Sequence, residues 1–226
     1  MLGSTTTYGN IQNLIPLWDG QAVIVIPNYR LNAFGYVALR ELSETDPRGT
    51  SGNYGITDCI AALRWVQENI AVFGGDAARV TVFGQSSGGT NILTLFAAPS
   101  ARGLFHRAIS LSGSPNITMD LATVEHQGLG LVEGTTCTSL QGNPLLDCLY
   151  NLSMHDVLHA VPANWSFEFA FPTSPQGTIY PGLTIVDGVT VTMPLLDALR
   201  TGLVDVPIIL QSMECEADLF PTWARA

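Results

Sequence analysis

The sequence predicts an α/β domain, a parallel sheet with helices on its faces. Three observations carry this expectation. Short runs rich in Val and Ile alternate with helical patterns between residues 21 and 114, and that alternation marks parallel strands joined by crossover helices. Glycines and prolines punctuate the runs. The decapeptide TVFGQSSGGT, Thr81–Thr90, ends a β-type run in two serines set between glycines.

The elements follow in chain order. QAVIVIPNYR, Gln21–Arg30, is a short continuous apolar run bounded by Gly20, the pattern of a buried strand. TDCIAALRWVQENIAVFGG predicts an amphipathic helix. Thr57 and Asp58 are its candidate caps; Ile60, Leu63, Val66 and Ile70 recur at helical spacing; Gly74 and Gly75 stop it. Ala78–Gly84 is a second strand, GGTNILTLFAA a second helix, and His106–Ser114 a third strand. From Pro115 to about Asp205 the pattern is less regular and holds most of the prolines, so it is read as an excursion from the sheet. Val206–Ser212 then predicts a further buried strand. With no repeat and no linker, the 226 residues are expected to form a single domain.

Composition narrows the function. Hydrophobic residues make up 46% and charged residues 12%, a globular balance. All 9 basic residues are arginine, against 19 acidic ones, and the formal charge is -10. Such a chain has little with which to neutralise phosphates, so nucleic acid and anionic membrane surfaces are excluded as expected partners. No run approaches the roughly 20 apolar residues of a membrane span. The N-terminal MLGSTTTYGN lacks the basic and apolar regions of a signal peptide.

Other features point outside the cell. Asn116-Ile-Thr, Asn151-Leu-Ser and Asn164-Trp-Ser are acceptor sequons for glycosylation. Cys137 and Cys148 flank TSLQGNPLLD and could close a small loop; two buried thiols are the alternative. Secretion without a signal peptide points to a missing N-terminal part.

The chemistry gathers at Gly84-Gln85-Ser86-Ser87-Gly88, which matches G-x-S-x-G between an expected strand and an expected helix. A turn this sharp strains its central residue, and side chains two positions before and after it are expected to clash. Ser86 fits that geometry, with glycine on each side. Ser87 has Gln85 two residues before it, and supplies a backbone N–H instead. The helix N-terminus stabilises negative charge at the same spot. Ser86 is therefore the candidate nucleophile and the Ser87 N–H a candidate oxyanion donor.

These residues resemble the type-B carboxylesterase family, which includes cholinesterases and fungal lipases. The resemblance lies in NYRLNAFGYVAL, SGNYGITDCIAALRWVQENIAVFGGDAARVTVFGQSSGGT, GLFHRAISLSGSPN and VPIILQSMECEADLF. It implies an α/β-hydrolase fold with helices on both faces of the sheet, here one partial domain over residues 1–226, truncated at both ends. It implies hydrolysis of small-molecule or lipid carboxylic esters through an acyl-enzyme, with no cofactor and no metal. Ser86 matches the nucleophile and Glu216 the triad acid; Cys215 and Ala217 replace the aspartate and glycine that usually flank it. Ser112 matches a serine near the triad acid and histidine. The spacing of Cys137 and Cys148 is similar to that of a family disulfide. Gln85 stands where a glutamate is usual, which disfavours cationic choline esters. Met119 falls near an acyl-pocket aromatic of some relatives.

Two parts of the family's machinery are missing from the sequence. The glycine-rich oxyanion loop is expected upstream of MLGS, and the catalytic histidine well beyond Glu216. His106, His126, His155 and His159 carry no spacing that marks a base. His155 and His159, four apart, lack a third ligand for zinc. The 226 residues alone are therefore expected to be nearly inactive. The rival expectation is a non-catalytic, cholinesterase-like adhesion or binding domain; retention of Ser86, Gly84, Gly88 and Glu216 argues against it.

Overall fold

The computed structural model describes residues 19–115, 118–165 and 184–214. Two short helices, α1 (Asn32–Tyr36) and α2 (Arg40–Thr45), precede the long α3 (Tyr54–Asn69). β1 (Thr81–Gln85) leads into α4 (Ser87–Phe96), and β2 (Arg107–Leu111) follows. β3 (Thr118–Asp120), α5 (Leu121–Glu133), α6 (Gly142–Tyr150) and α7 (Met154–Ala160) come next. β4 (Thr184–Val186), α8 (Leu195–Thr201) and β5 (Ile208–Gln211) complete the described elements.

The main sheet has the order β1-β2-β5, all parallel. Gln85 stands level with Leu111, and Leu111 with Gln211, so the three strands end together. Strand alternation sends Val82 and Ala108 to one face, where they are buried. Ile56, Ile60 and Leu63 of α3 and Ile92, Leu95 and Phe96 of α4 pack there in one core. Phe96 meets Phe105 edge-on at 5.6 Å between ring centroids. On the other face Phe83 and Ile209 are 64% and 60% exposed.

Three expectations change. Gln21–Arg30 forms no strand, and Val23, Val25 and Ile26 are exposed. An apolar run becomes a buried strand only with neighbours at its edges and faces, and periodicity does not report neighbours. α3 begins at Tyr54, before both expected caps. The Thr57 hydroxyl donates to the Tyr54 carbonyl at 2.8 Å, and Asp58 is taken by Arg30, which donates its N–H, Nε and Nη2. Neither side chain is left to cap. The last strand is shorter than Val206–Ser212, and its Ile209 and Leu210 are exposed rather than buried.

The region after Pro115 is more regular than expected. Asp120 caps α5 by accepting from the Thr123 N–H, and Ser153 and Asp156 form a capping box on α7. Cys137 and Cys148 are joined in a disulfide with Cα atoms 5.8 Å apart. Cys137 is fully buried beside Leu39, Val132 and Leu145. Asp187 ties this region to the approach of α3. Its carboxylate accepts from the N–H groups of Val189, Thr190 and Val191, from the Thr50 hydroxyl and from the Asn53 amide.

Candidate active site

The site is built at the carboxyl ends of the three parallel strands, the position where open α/β sheets leave room for a ligand. β1 runs out at Gln85, which is exposed, and the chain turns at Ser86. Ser86 has φ +56° and ψ -122°. That conformation is costly for a residue with a Cβ and persists only where the surroundings impose it. Two backbone bonds impose it here. The Ser86 N–H donates to the Leu111 carbonyl at 2.8 Å, and the Ser86 carbonyl accepts from Thr90 N–H at 3.0 Å. The half-buried hydroxyl makes no capping bond to the helix.

The glycines around the turn are not equivalent. A Cβ on Gly84 would lie 2.3 Å from the Gly88 carbonyl oxygen. A Cβ on Gly88 would meet nothing within 4 Å. The clash expected on both sides is therefore one-sided: the Gly88 backbone presses on Gly84, while the side-chain direction of Gly88 is open. Gly89, which the motif does not single out, is also tightly confined. Its Cβ would lie 2.8 Å from the Leu111 carbonyl and 2.9 Å from the Gly113 Cα. The doubled glycine at 88 and 89 was the available signal.

That close approach seats α4 on the end of β2. The buried Ser110 hydroxyl donates to the Gly89 carbonyl at 3.0 Å, and Ser114 N–H donates to the Thr90 hydroxyl at 3.0 Å. Neither serine is legible as part of the site from spacing alone. The first N–H groups of a helix have no intrahelical acceptor. Ser87 is the first residue of α4, so its N–H is one of these. Ser112, just past β2, also has positive φ, +49°, and its N–H donates to the Gln211 carbonyl at 2.7 Å. The structure thus brings Gln85, Ser86, Ser87 and Ser112 to the carboxyl end of the sheet.

Other expected positions fall elsewhere. Glu216, Cys215 and Asn116 lie outside the described residues, as does the side chain of Asn164. Met119 is on β3. Among the described residues, no histidine is hydrogen-bonded to Ser86. His106 Nδ1 accepts from Val80 N–H at 3.3 Å, so that ring braces the start of β1. The rings of His155 and His159 stack 3.9 Å apart on exposed α7. No group of three or more His, Cys, Asp or Glu able to hold a metal occurs among the described residues. Cys59 is a poor rival nucleophile, because burial pushes its thiol up to about 12.

Comparison with known proteins places the chain in a family. The carboxylesterase-family profile matches residues 3–223. The para-nitrobenzyl esterase of Bacillus subtilis is 41% identical over 157 residues, covering 64% of this chain and 29% of that protein. Carboxylesterase 4A of Bos taurus is 35% identical over 193 residues, covering 84% of this chain and 33% of that one. The crystal structure of the Geobacillus stearothermophilus carboxylesterase EST55 at pH 6.8 superposes with a TM-score of 0.71 at 30% identity, over 88% of this chain and 41% of that one. The chain thus spans about a third of the length of such curated relatives. With the α/β-hydrolase sheet and its serine turn in place, the chain belongs to the carboxylesterase family.

Proposed function

We propose that the protein is a serine ester hydrolase whose nucleophile is Ser86. The observation that carries this is the strained backbone of Ser86 between a strand end and a helix N-terminus. Ser86 Oγ attacks the ester carbonyl, the alcohol leaves, and water cleaves the acyl-enzyme. The Ser87 N–H donates to the oxyanion, helped by the α4 dipole. Glu216 orients a histidine that lies outside these 226 residues, and a glycine loop also outside them adds further oxyanion donors. Ser112 supports that pair from the end of β2.

The substrates are small-molecule or lipid carboxylic esters. Gln85 leaves the entrance without a carboxylate at that position, so cationic choline esters are poor substrates. The disulfide supports a secreted protein, since such bridges persist in oxidising compartments. The reading is tested with a fluorophosphonate probe on the full-length protein. Labelling that Ser86→Ala abolishes is the expected result. An unlabelled full-length protein would instead favour a non-catalytic binding domain on the same fold.

A further inference from the structure

We propose that Asn151 carries an N-linked glycan, and that this glycan shields an apolar patch beside the disulfide. Tyr150, Met154 and Leu158 are 74%, 70% and 49% exposed. They lie on α6 and α7, on either side of the turn Asn151-Leu152-Ser153. Large apolar side chains exposed on both sides of one turn are unfavourable in water unless something covers them. The same turn is an acceptor sequon with an exposed asparagine.

The geometry of Asn151 suits modification. A side-chain amide has two N–H hydrogens. One of them caps α6 by donating to the Asp147 carbonyl at 2.7 Å. In the transfer the other Nδ2–H bond breaks and Nδ2 bonds to the anomeric carbon of a lipid-pyrophosphate-linked oligosaccharide. The lipid pyrophosphate leaves and the proton passes to the transferase. The retained N–H keeps its bond to Asp147, so the modification leaves the helix end intact. Ser153 is exposed, with its hydroxyl in the α7 capping box.

The disulfide is an independent observation pointing the same way. Cys148 of the Cys137–Cys148 bridge lies on α6, the helix that Asn151 ends. An oxidising secretory compartment both forms such a bridge and transfers the oligosaccharide. Asn116 and the side chain of Asn164, in the other two sequons, lie outside the described residues.

The test secretes the full chain from a eukaryotic host and removes glycans with peptide N-glycosidase in heavy-oxygen water. That treatment turns each glycosylated asparagine into a labelled aspartate. Label at position 151 is expected, in material whose Cys137–Cys148 peptides are disulfide-linked. Absence of label there, in bridged material, overturns the proposal. Asn151→Gln and Ser153→Ala are each expected to remove one glycan step in electrophoresis, and Ser153→Thr to keep it. An unchanged glycan count in Asn151→Gln also overturns it. Deglycosylation of the folded protein is expected to increase self-association; no increase sinks the shielding role. The inference stands apart from the hydrolase reading, because Ser86→Ala leaves the label unchanged.

Discussion

Ser86 holds a backbone conformation that a serine adopts only at a cost of about 1–3 kcal/mol. Glycine at this position would relieve the strain, less about 0.5–1 kcal/mol for the greater freedom of its unfolded chain. Ser86→Gly is therefore expected to raise stability by about 1 kcal/mol in urea titrations while abolishing fluorophosphonate labelling of the full-length protein. A less stable Ser86→Gly would show that the turn is not strained. The neighbouring glycines give a sharper contrast. Gly84→Ala forces a methyl against the Gly88 backbone, which has no rotamer with which to yield. It should cost about 3 kcal/mol. Gly88→Ala enters open space in the first turn of α4 and should be neutral, or stabilising by up to about 1 kcal/mol. Equal losses at the two positions would contradict the one-sided contact.

The elements are held by connections whose strength differs with burial. The Cys137–Cys148 bridge closes a loop with a sequence separation of 11 around a buried half-cystine. Replacing both cysteines with serine should cost about 2–3 kcal/mol, read as a lower thermal midpoint. Arg30 and Asp58 join the segment before α1 to α3 through a half-exposed ion pair. Hydrogen bonding to Arg30 holds the Asp58 carboxyl below its ordinary value. A carboxylate depressed in the folded state contributes stability above the unfolded value near 4, and that contribution is lost as pH falls through the folded value. Asp58→Asn should therefore flatten the acid limb of the stability curve below about pH 4. At neutral pH its cost should be about 1 kcal/mol or less, since solvent screens the pair. The helices and strands that bracket Ser86 were legible because short-range signals fix them: apolar spacing in α3, the β-type run before Gly84, the paired glycines that end the 3-10 turn Ile70–Phe73 after α3, and those that open α4. Gln21–Arg30 was misread because its composition is that of a strand while its burial depends on neighbours. The caps of α5 and α7 were legible in principle at Asp120 and Ser153, but the surrounding prolines and glycines masked them. Ser110, Thr90 and Gly113 were beyond sequence reasoning, since their contacts with the start of α4 exist only once β2 lies beside β1.

At the scale of the whole molecule, the described residues cover the sheet on one face and leave it open on the other. On that open face Phe83 and Ile209 are 64% and 60% exposed, and before α1 Val23, Val25 and Ile26 are each at least 40% exposed. Apolar surface of this kind is stable in water only when another surface packs on it. The family relatives are about two and a half times as long as this chain, so their folds include polypeptide with no counterpart here. Two consequences follow for a protein made of these 226 residues alone. It should bind the dye ANS and self-associate, and Phe83→Lys with Ile209→Lys should reduce both without lowering its helix content by circular dichroism. It should also hydrolyse p-nitrophenyl butyrate poorly, because the proposed mechanism takes its base and part of its oxyanion hole from outside these residues. Loss of one oxyanion donor alone slows such chemistry by about a hundredfold or more. The two measurements separate the possibilities. A monomeric, ANS-silent chain would mean that the open face is covered by residues of this chain itself. Turnover at ordinary esterase rates, abolished by Ser86→Ala, would mean that these 226 residues supply their own base, and His106, His126, His155 and His159 would then be tested for it one by one.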